Sequence, residues 1–134
     1  MTRIKESTYG TTKFQKLLGH NQIILEKWND LGSILENDGL LSAGHKEQVR
    51  RILAQENGCE YCKAKGKPEI NKDDKKLSIA VGFAQVFLAD PKAVPDSSFD
   101  ILKEYFSDEE ISELCAFITF TTASQYFGSL MKLK

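Results

Sequence analysis

Apolar residues recur along this chain at helical spacing, with short polar breaks between the runs. From about Thr12 to Glu36 the apolar set is Phe14, Leu17, Leu18, Ile24, Leu25, Trp28, Leu31 and Leu35. Gly19 and Asn21 favour a break near the middle of that segment, and Gly39 ends it. Ser42 suits the N-cap of a helix from about Ala43 to Glu56, which Asn57-Gly58 stops. Its apolar stripe is Val49, Ile52 and Leu53. A short helix is expected near Cys59, broken by Pro68, and Asn71 to Lys76 reads as a charged turn. Leu77 to Ala89 is apolar almost all round, which suits a buried central helix, although periodicity alone does not separate it from a strand. Asp90-Pro91 closes that run, and Ser98 to Tyr105 reads as a further short helix. Ser107-Asp-Glu-Glu110 is a capping-box start for a long last helix with Ile111, Leu114, Cys115, Ile118 and Thr122 on one face. No Asn-Gly or Asp-Gly pair stands between two alternating segments, so no hairpin is predicted. The pattern predicts an all-α bundle of about six helices in a single domain, residues 1–134.

Composition narrows the function classes. A chain of 134 residues is long enough to bury a core, and a net charge of -1 makes no electrostatic case for nucleic acid. The longest apolar run falls well short of the roughly 20 residues that span a bilayer, and no signal peptide is visible at the N-terminus. The expectation is a cytoplasmic protein with neither a membrane nor a nucleic-acid partner. Three cysteines are poor material for a disulfide framework in a reducing compartment, where a C-x-x-C pair points to redox or metal chemistry.

That pair lies in GCEYCKAKGKPE, residues 58–69. A helix starting near Gly58 puts Cys59 and Cys62 one turn apart on one face. The positive end of a helix favours thiolate over thiol, and Lys63, Lys65 and Lys67 add positive potential. A thiolate with a resolving partner thiol is the minimum kit for thiol redox chemistry. A zinc site needs two further ligands, and His20, His45 and Cys115 have no neighbours at ligand spacing. Two small buried side chains without chemistry are the plain alternative. Glu47 has Arg50 and Arg51 at i+3 and i+4 and falls opposite Val49, Ile52 and Leu53, so periodicity alone makes it an ion-pairing surface residue. His45 reads as a capping or packing residue, His20 as structural, and Cys115 as a small hydrophobe. Trp28, Phe83, Phe87, Phe117 and Phe120 read as core or subunit-interface positions. Tyr61 either lines a pocket or packs.

Glu47, twelve positions before Cys59, together with Asn-Gly followed by Cys59-Glu-Tyr-Cys62, resembles the active-site signature of the carboxymuconolactone decarboxylase and alkyl hydroperoxidase D family. Leu18-Gly-His-Asn-Gln with Trp28 is similar to that family's N-terminal helix pair. Leu41 to Glu47 is similar to its lead into the catalytic glutamate, and Phe106-Ser-Asp-Glu-Glu-Ile-Ser-Glu-Leu to its last helix start. The similarity runs from about Phe14 to Met131. The resemblance implies an alkyl hydroperoxidase D-like helical bundle, assembled as a trimer or hexamer. Cys62 is then the attacking thiolate, Cys59 the resolving thiol and Glu47 the proton acceptor. A dithiol reductant, lipoamide or a thioredoxin-like protein, reopens the disulfide, and no cofactor or metal is implied. Two positions depart from the family pattern. Gly66 stands where the family carries a histidine four residues after the second cysteine, and Lys67 to Lys76 leaves little room for a further helix. Glycine moves no protons, so Tyr61 and Lys65, with His45 nearby in sequence to Glu47, become the auxiliary candidates.

The leading expectation is therefore an antioxidant peroxidase or disulfide oxidoreductase acting through Cys59 and Cys62. A non-catalytic oligomeric scaffold is the alternative that Gly66 favours. A lactone decarboxylase fits less well, because no cluster of basic residues and histidines is present to hold a polycarboxylate. Oligomerisation is expected because the apolar helix and aromatic-rich C-terminus carry more apolar surface than one small bundle hides.

Overall fold

Helix starts in this chain are set by side chains that accept backbone N–H groups otherwise left without partners. Thr12 caps α1 (Lys13–Leu18), Asn21 caps α2 (Gln22–Glu36) and Ser42 caps α3 (Ala43–Glu56). The sulfur of Cys59 caps the single turn α4 (Glu60–Lys63), and Asp74 caps α5 (Lys75–Ala89). Ser107 caps the 23-residue α7 (Asp108–Leu130), whereas α6 (Asp96–Tyr105) follows Pro95 without a side-chain cap. At Thr12 and Ser107 the third helical residue, Gln15 or Glu110, returns the bond and completes a capping box. These elements come from a computed structural model that describes residues 1–134.

The protein is all-helical, with seven helices and no strand. The count exceeds the expected six because the break at Gly19 and Asn21 fully separates α1 from α2. The apolar run from Leu77, which periodicity alone left open between helix and strand, is helix. No helix is long and apolar enough to cross a membrane.

The core forms where α3 packs against α5 and α7, with α6 closing over α5 and α2 lying along α7. Val49 and Leu53 meet Ala80, Val81 and Ala84 of α5 and Leu114, Phe117 and Ile118 of α7. Leu53 and Ala84 have no exposed surface at all. Truncating a leucine so placed costs about 2–5 kcal/mol through lost transfer energy and the cavity left behind.

Two faces differ from expectation. In α2, Leu25, Gly32 and Leu35 turn inward, while Ile24 and Leu31 are each 47% exposed and Ile23 and Ile34 more so. Apolar residues on several faces identify a helix without saying which face the rest of the chain covers. In α5 only the side bearing Leu77, Ala80, Val81, Phe83 and Ala84 is buried; Ile79, Phe87 and Leu88 are half-buried and Gln85 is exposed.

A buried charge ties the bundle together. Lys46, 2% exposed, donates from Nζ to the carbonyl of Asn37 at 2.9 Å and pairs with Glu113 at 3.1 Å. The same carboxylate accepts the backbone N–H groups of Leu41 and Leu40. The α2–α3 loop is thus pinned to α7. At the chain ends, Arg3 donates from its backbone N–H to the carbonyl of Met131 and from its guanidinium to that of Leu130.

Candidate functional site

The two cysteines of the C-x-x-C stretch form a disulfide, with Cα atoms 5.2 Å apart. Gly58 makes the approach to it sharp, with a φ of +73° that favours glycine. Cys59 is the N-cap of α4, and its sulfur accepts the backbone N–H of Cys62 at 3.2 Å. Because α4 is a single turn, its dipole adds little to the electrostatics of the pair. The two sulfurs differ in access. Cys59 has no exposed surface, whereas Cys62 is half-buried and lines a cavity of about 660 Å³ open to solvent.

The disulfide rests on α7. A Cβ added at Gly128 would stand 2.6 Å from the Cys59 sulfur and 3.7 Å from that of Cys62, so only glycine gives this approach. Next to it, the buried Asn57 side chain donates to Gln125 Oε1 at 2.8 Å, and Gln125 Nε2 donates to the carbonyl of Arg50 at 3.2 Å. This amide pair satisfies polar groups that would be costly to bury alone, and it fixes the end of α3 against α7 just before Cys59.

Glu47 and Cys62 are linked through Arg50. The Arg50 guanidinium donates to both carboxylate oxygens of Glu47, at 2.6 and 3.1 Å, and its third nitrogen donates to the carbonyl of Cys62 at 2.9 Å. Arg51 adds a bond to Glu47 at 3.0 Å. Burial pushes the Glu47 carboxyl up, but the bonds and charges of Arg50 and Arg51, with Lys65 contributing, outweigh it and hold it below the usual range. Glu47 is therefore a firmly ionised, weak base. Its ion pairing is the one that its i+3 and i+4 neighbours predicted.

The auxiliary candidates separate. Tyr61 and Lys65 are exposed and line the cavity with Cys62. His45 bonds elsewhere: its Nε2 meets Asp74, the cap of α5, at 2.7 Å. His20 binds the carbonyl of Lys5 at 2.6 Å. Cys115 is half-buried, burial pushes its thiol up, and it lines a second cavity of about 310 Å³ with Phe83, Phe87 and Phe99. No group of three or more His, Cys, Asp or Glu side chains stands together in a way that could hold a metal ion.

Gly66 adopts a φ of +92° and nothing lies within 4 Å of a Cβ built there. The chain turns at this point through a bond from its N–H to the carbonyl of Lys63. No helix lies between α4 and α5, in keeping with the short intervening segment.

Sequence reasoning passed over Arg50 as a site residue and Gly128 and Gln125 altogether. Arg50 carried a signal, since its i+3 spacing to Glu47 was visible. Gly128 and Gln125 become site residues only through the packing of α7 on α3 and α4, which no local pattern encodes. The fold and site together define an all-helical protein with a C-x-x-C disulfide, one sulfur sealed and the other facing a cavity. No protein-family model matches the chain, and no curated protein matches it.

Proposed function

We propose that this chain is a dithiol–disulfide redox protein of the alkyl hydroperoxidase D type, reducing peroxides or exchanging disulfides in an antioxidant role. The observation that carries this reading is the unequal access of the two sulfurs: Cys59 is sealed, and Cys62 lines an open cavity. In the reduced state the Cys62 thiolate attacks the terminal oxygen of a hydroperoxide. The O–O bond breaks, the alkoxide takes a proton and leaves as the alcohol, and Cys62 becomes a sulfenic acid. Cys59, as thiolate, attacks that sulfur, forming the disulfide and releasing hydroxide, which is protonated to water. A dithiol reductant, lipoamide- or thioredoxin-like, then attacks the Cys62 sulfur, expels the Cys59 thiolate, and leaves as its own disulfide after the second exchange.

In this proposal Glu47 holds Arg50, and Arg50 holds the Cys62 main chain; Lys65 and Tyr61 line the same cavity as Cys62. The bundle belongs to the alkyl hydroperoxidase D type, works in the cytoplasm and assembles as a trimer or hexamer. The exposed Ile23, Ile34 and Leu130, at 70, 71 and 61% exposure, support self-association.

The test is a thiol count on reduced protein before and after one equivalent of hydroperoxide, with Cys59→Ser and Cys62→Ser as controls. The proposal expects rapid loss of two thiols in the parent, a trapped sulfenic acid in Cys59→Ser and no rapid reaction in Cys62→Ser. Loss at the rate of an ordinary free thiol would overturn it. The second reading, a non-catalytic scaffold, is favoured by the glycine at position 66, which supplies no proton-transferring group, and by the two arginines that occupy Glu47.

A further inference from the structure

We propose that the cavity beside Cys62 is a binding site for amphipathic monocarboxylates, with Lys65 receiving the carboxylate and the aromatic wall receiving the chain or ring. As a substrate pocket it rests on the redox reading proposed above; as a binding site it is separable from it.

Aromatic rings line the cavity, with the neutral polar side chains of Asn29, Ser33 and Thr121 among them. Phe14, Trp28, Phe117 and Phe120, from α1, α2 and α7, line it, with the Trp28 and Phe120 rings 5.4 Å apart. The indole N–H of Trp28 is committed to Ser124 at 3.1 Å. A volume of about 660 Å³ lies in the range of small-molecule sites, which are mostly apolar with a few polar groups that fix orientation. Such a wall selects an apolar body.

The charges select the head group. Two cations and one acid line the cavity: Arg50, Lys65 and Glu36. Arg50 is consumed by Glu47 and the Cys62 carbonyl. Lys65 makes no ion pair, is exposed, and sits three residues from Cys62. Glu36 is two helical turns beyond Trp28 on α2, roughly 12 Å along the axis at 1.5 Å per residue. An anion is drawn to Lys65 and repelled by Glu36, the one acid of the lining. One unpaired lysine matches one carboxylate. For the proposed peroxide chemistry the substrate is then a hydroperoxide of such an acid.

Trp28 is the only tryptophan in the chain and lines this cavity, so its emission reports occupancy. The full chain is titrated with octanoate, 1-octanol and octylammonium, none of which reacts with thiols. The expected result is saturable quenching or shift of Trp28 emission by octanoate, at least tenfold tighter than by octanol or octylammonium. Lys65→Met, an exposed change that leaves the helical circular dichroism intact, removes that tenfold preference and leaves octanol unchanged. Equal binding of octanoate and octanol, or an unaltered preference in Lys65→Met, overturns the head-group assignment. No saturable response to any of the three overturns the site. Octanoate binding together with peroxide-inert thiols upholds this site and removes the redox reading alone.

Discussion

Replacing Gly128 by alanine isolates the contact between α7 and the disulfide. The new Cβ would lie 2.6 Å from the Cys59 sulfur, about 1 Å inside an ordinary contact. In the oxidised protein that sulfur is bonded to Cys62 and has no surface to retreat into, so α7 or the disulfide must shift. Overpacking of this kind costs about 1–3 kcal/mol, against which the helix gains up to about 1 kcal/mol from losing a glycine. In the dithiol form the Cys59 side chain can change rotamer, and most of the clash is relieved. The oxidised form should lose about 1–2 kcal/mol relative to the reduced one. For a two-electron couple that raises the reduction potential by about 20–40 mV, making the disulfide easier to reduce. Urea unfolding of both redox forms, with equilibration in a thiol–disulfide buffer, measures the two quantities independently. Gly82→Ala is the control: it lies in α5 with nothing within 4 Å of the added carbon, so it should stabilise both forms by up to about 1 kcal/mol. If Gly128→Ala behaves like Gly82→Ala in the oxidised protein, the close approach is not what this glycine provides.

Glu113→Gln should cost about 3 kcal/mol in urea melts because it strands the buried Lys46 charge, and Lys46→Met should cost less; the reverse order would refute the clasp. For Glu113, burial pushes the carboxyl up, but the N–H of Leu41, the Lys46 ammonium and the N–H of Leu40 hold it below the usual range. Its contribution is therefore complete above the ordinary carboxylate value, about 4.3, and is lost as pH falls through the lower folded value. The melting temperature should be level above about pH 5 and drop below about pH 4, less steeply in Glu113→Gln; a profile unchanged by that substitution would contradict the assignment. Gly66→His should lower stability by about 1–2 kcal/mol through its left-handed backbone, not through a clash, and a neutral result in urea would show that the turn relaxes freely. Glu47→Gln should not slow alkylation of Cys62 in the reduced protein at neutral pH, since it removes a negative charge held beside Arg50; a slowing of tenfold or more, with Arg50→Lys unaffected, would restore Glu47 as the proton acceptor.

Local signals were legible where they are local. Ser42, Asn57 and the Ser107–Glu110 box fixed helix ends because capping depends on residues within one turn. The C-x-x-C spacing brought the two sulfurs into bonding range for the same reason, and the i+3 and i+4 arginines foretold the ion pairing of Glu47. What stayed hidden depends on which helix lies over which. Lys46 looks like any surface lysine of an amphipathic helix until Glu113 arrives from α7, 67 residues later in the chain. Gly128 looks like a weak point in a helix until the Cys59 sulfur is placed against it. The inward face of α2 was ambiguous because apolar residues surround it on more than one side, and burial was decided by the packing of α7.

The absent imidazole bears on the redox proposal through electrostatics as well as through proton transfer. Attack by Cys62 requires a thiolate, and a thiolate is obtained either by a nearby base or by a field that favours the anion. The base offered by the motif is poorly suited, because both oxygens of Glu47 are engaged by guanidinium groups. The field is better supplied. Arg50 and Lys65 share the cavity with Cys62, Arg51 is one residue beyond, and Glu47 offsets one of the three charges. Glu69 comes within 3.9 Å of Arg51 but is 87% exposed, so solvent screens most of its effect. A shift of one unit in a thiol's pKa needs only about 1.4 kcal/mol of preferential stabilisation, and near neutral pH it multiplies the thiolate fraction about tenfold. In the redox proposal Lys65, which makes no ion pair, is the cavity's remaining cation, and a proton released at Cys62 passes to solvent through the open cavity. On this arrangement Lys65 has two compatible tasks, raising the thiolate fraction of Cys62 and receiving the carboxylate of the ligand. The bound anion partly neutralises the first effect, so the fastest thiol chemistry is expected with substrates whose carboxylate reaches Lys65 only as the peroxide end reaches the sulfur.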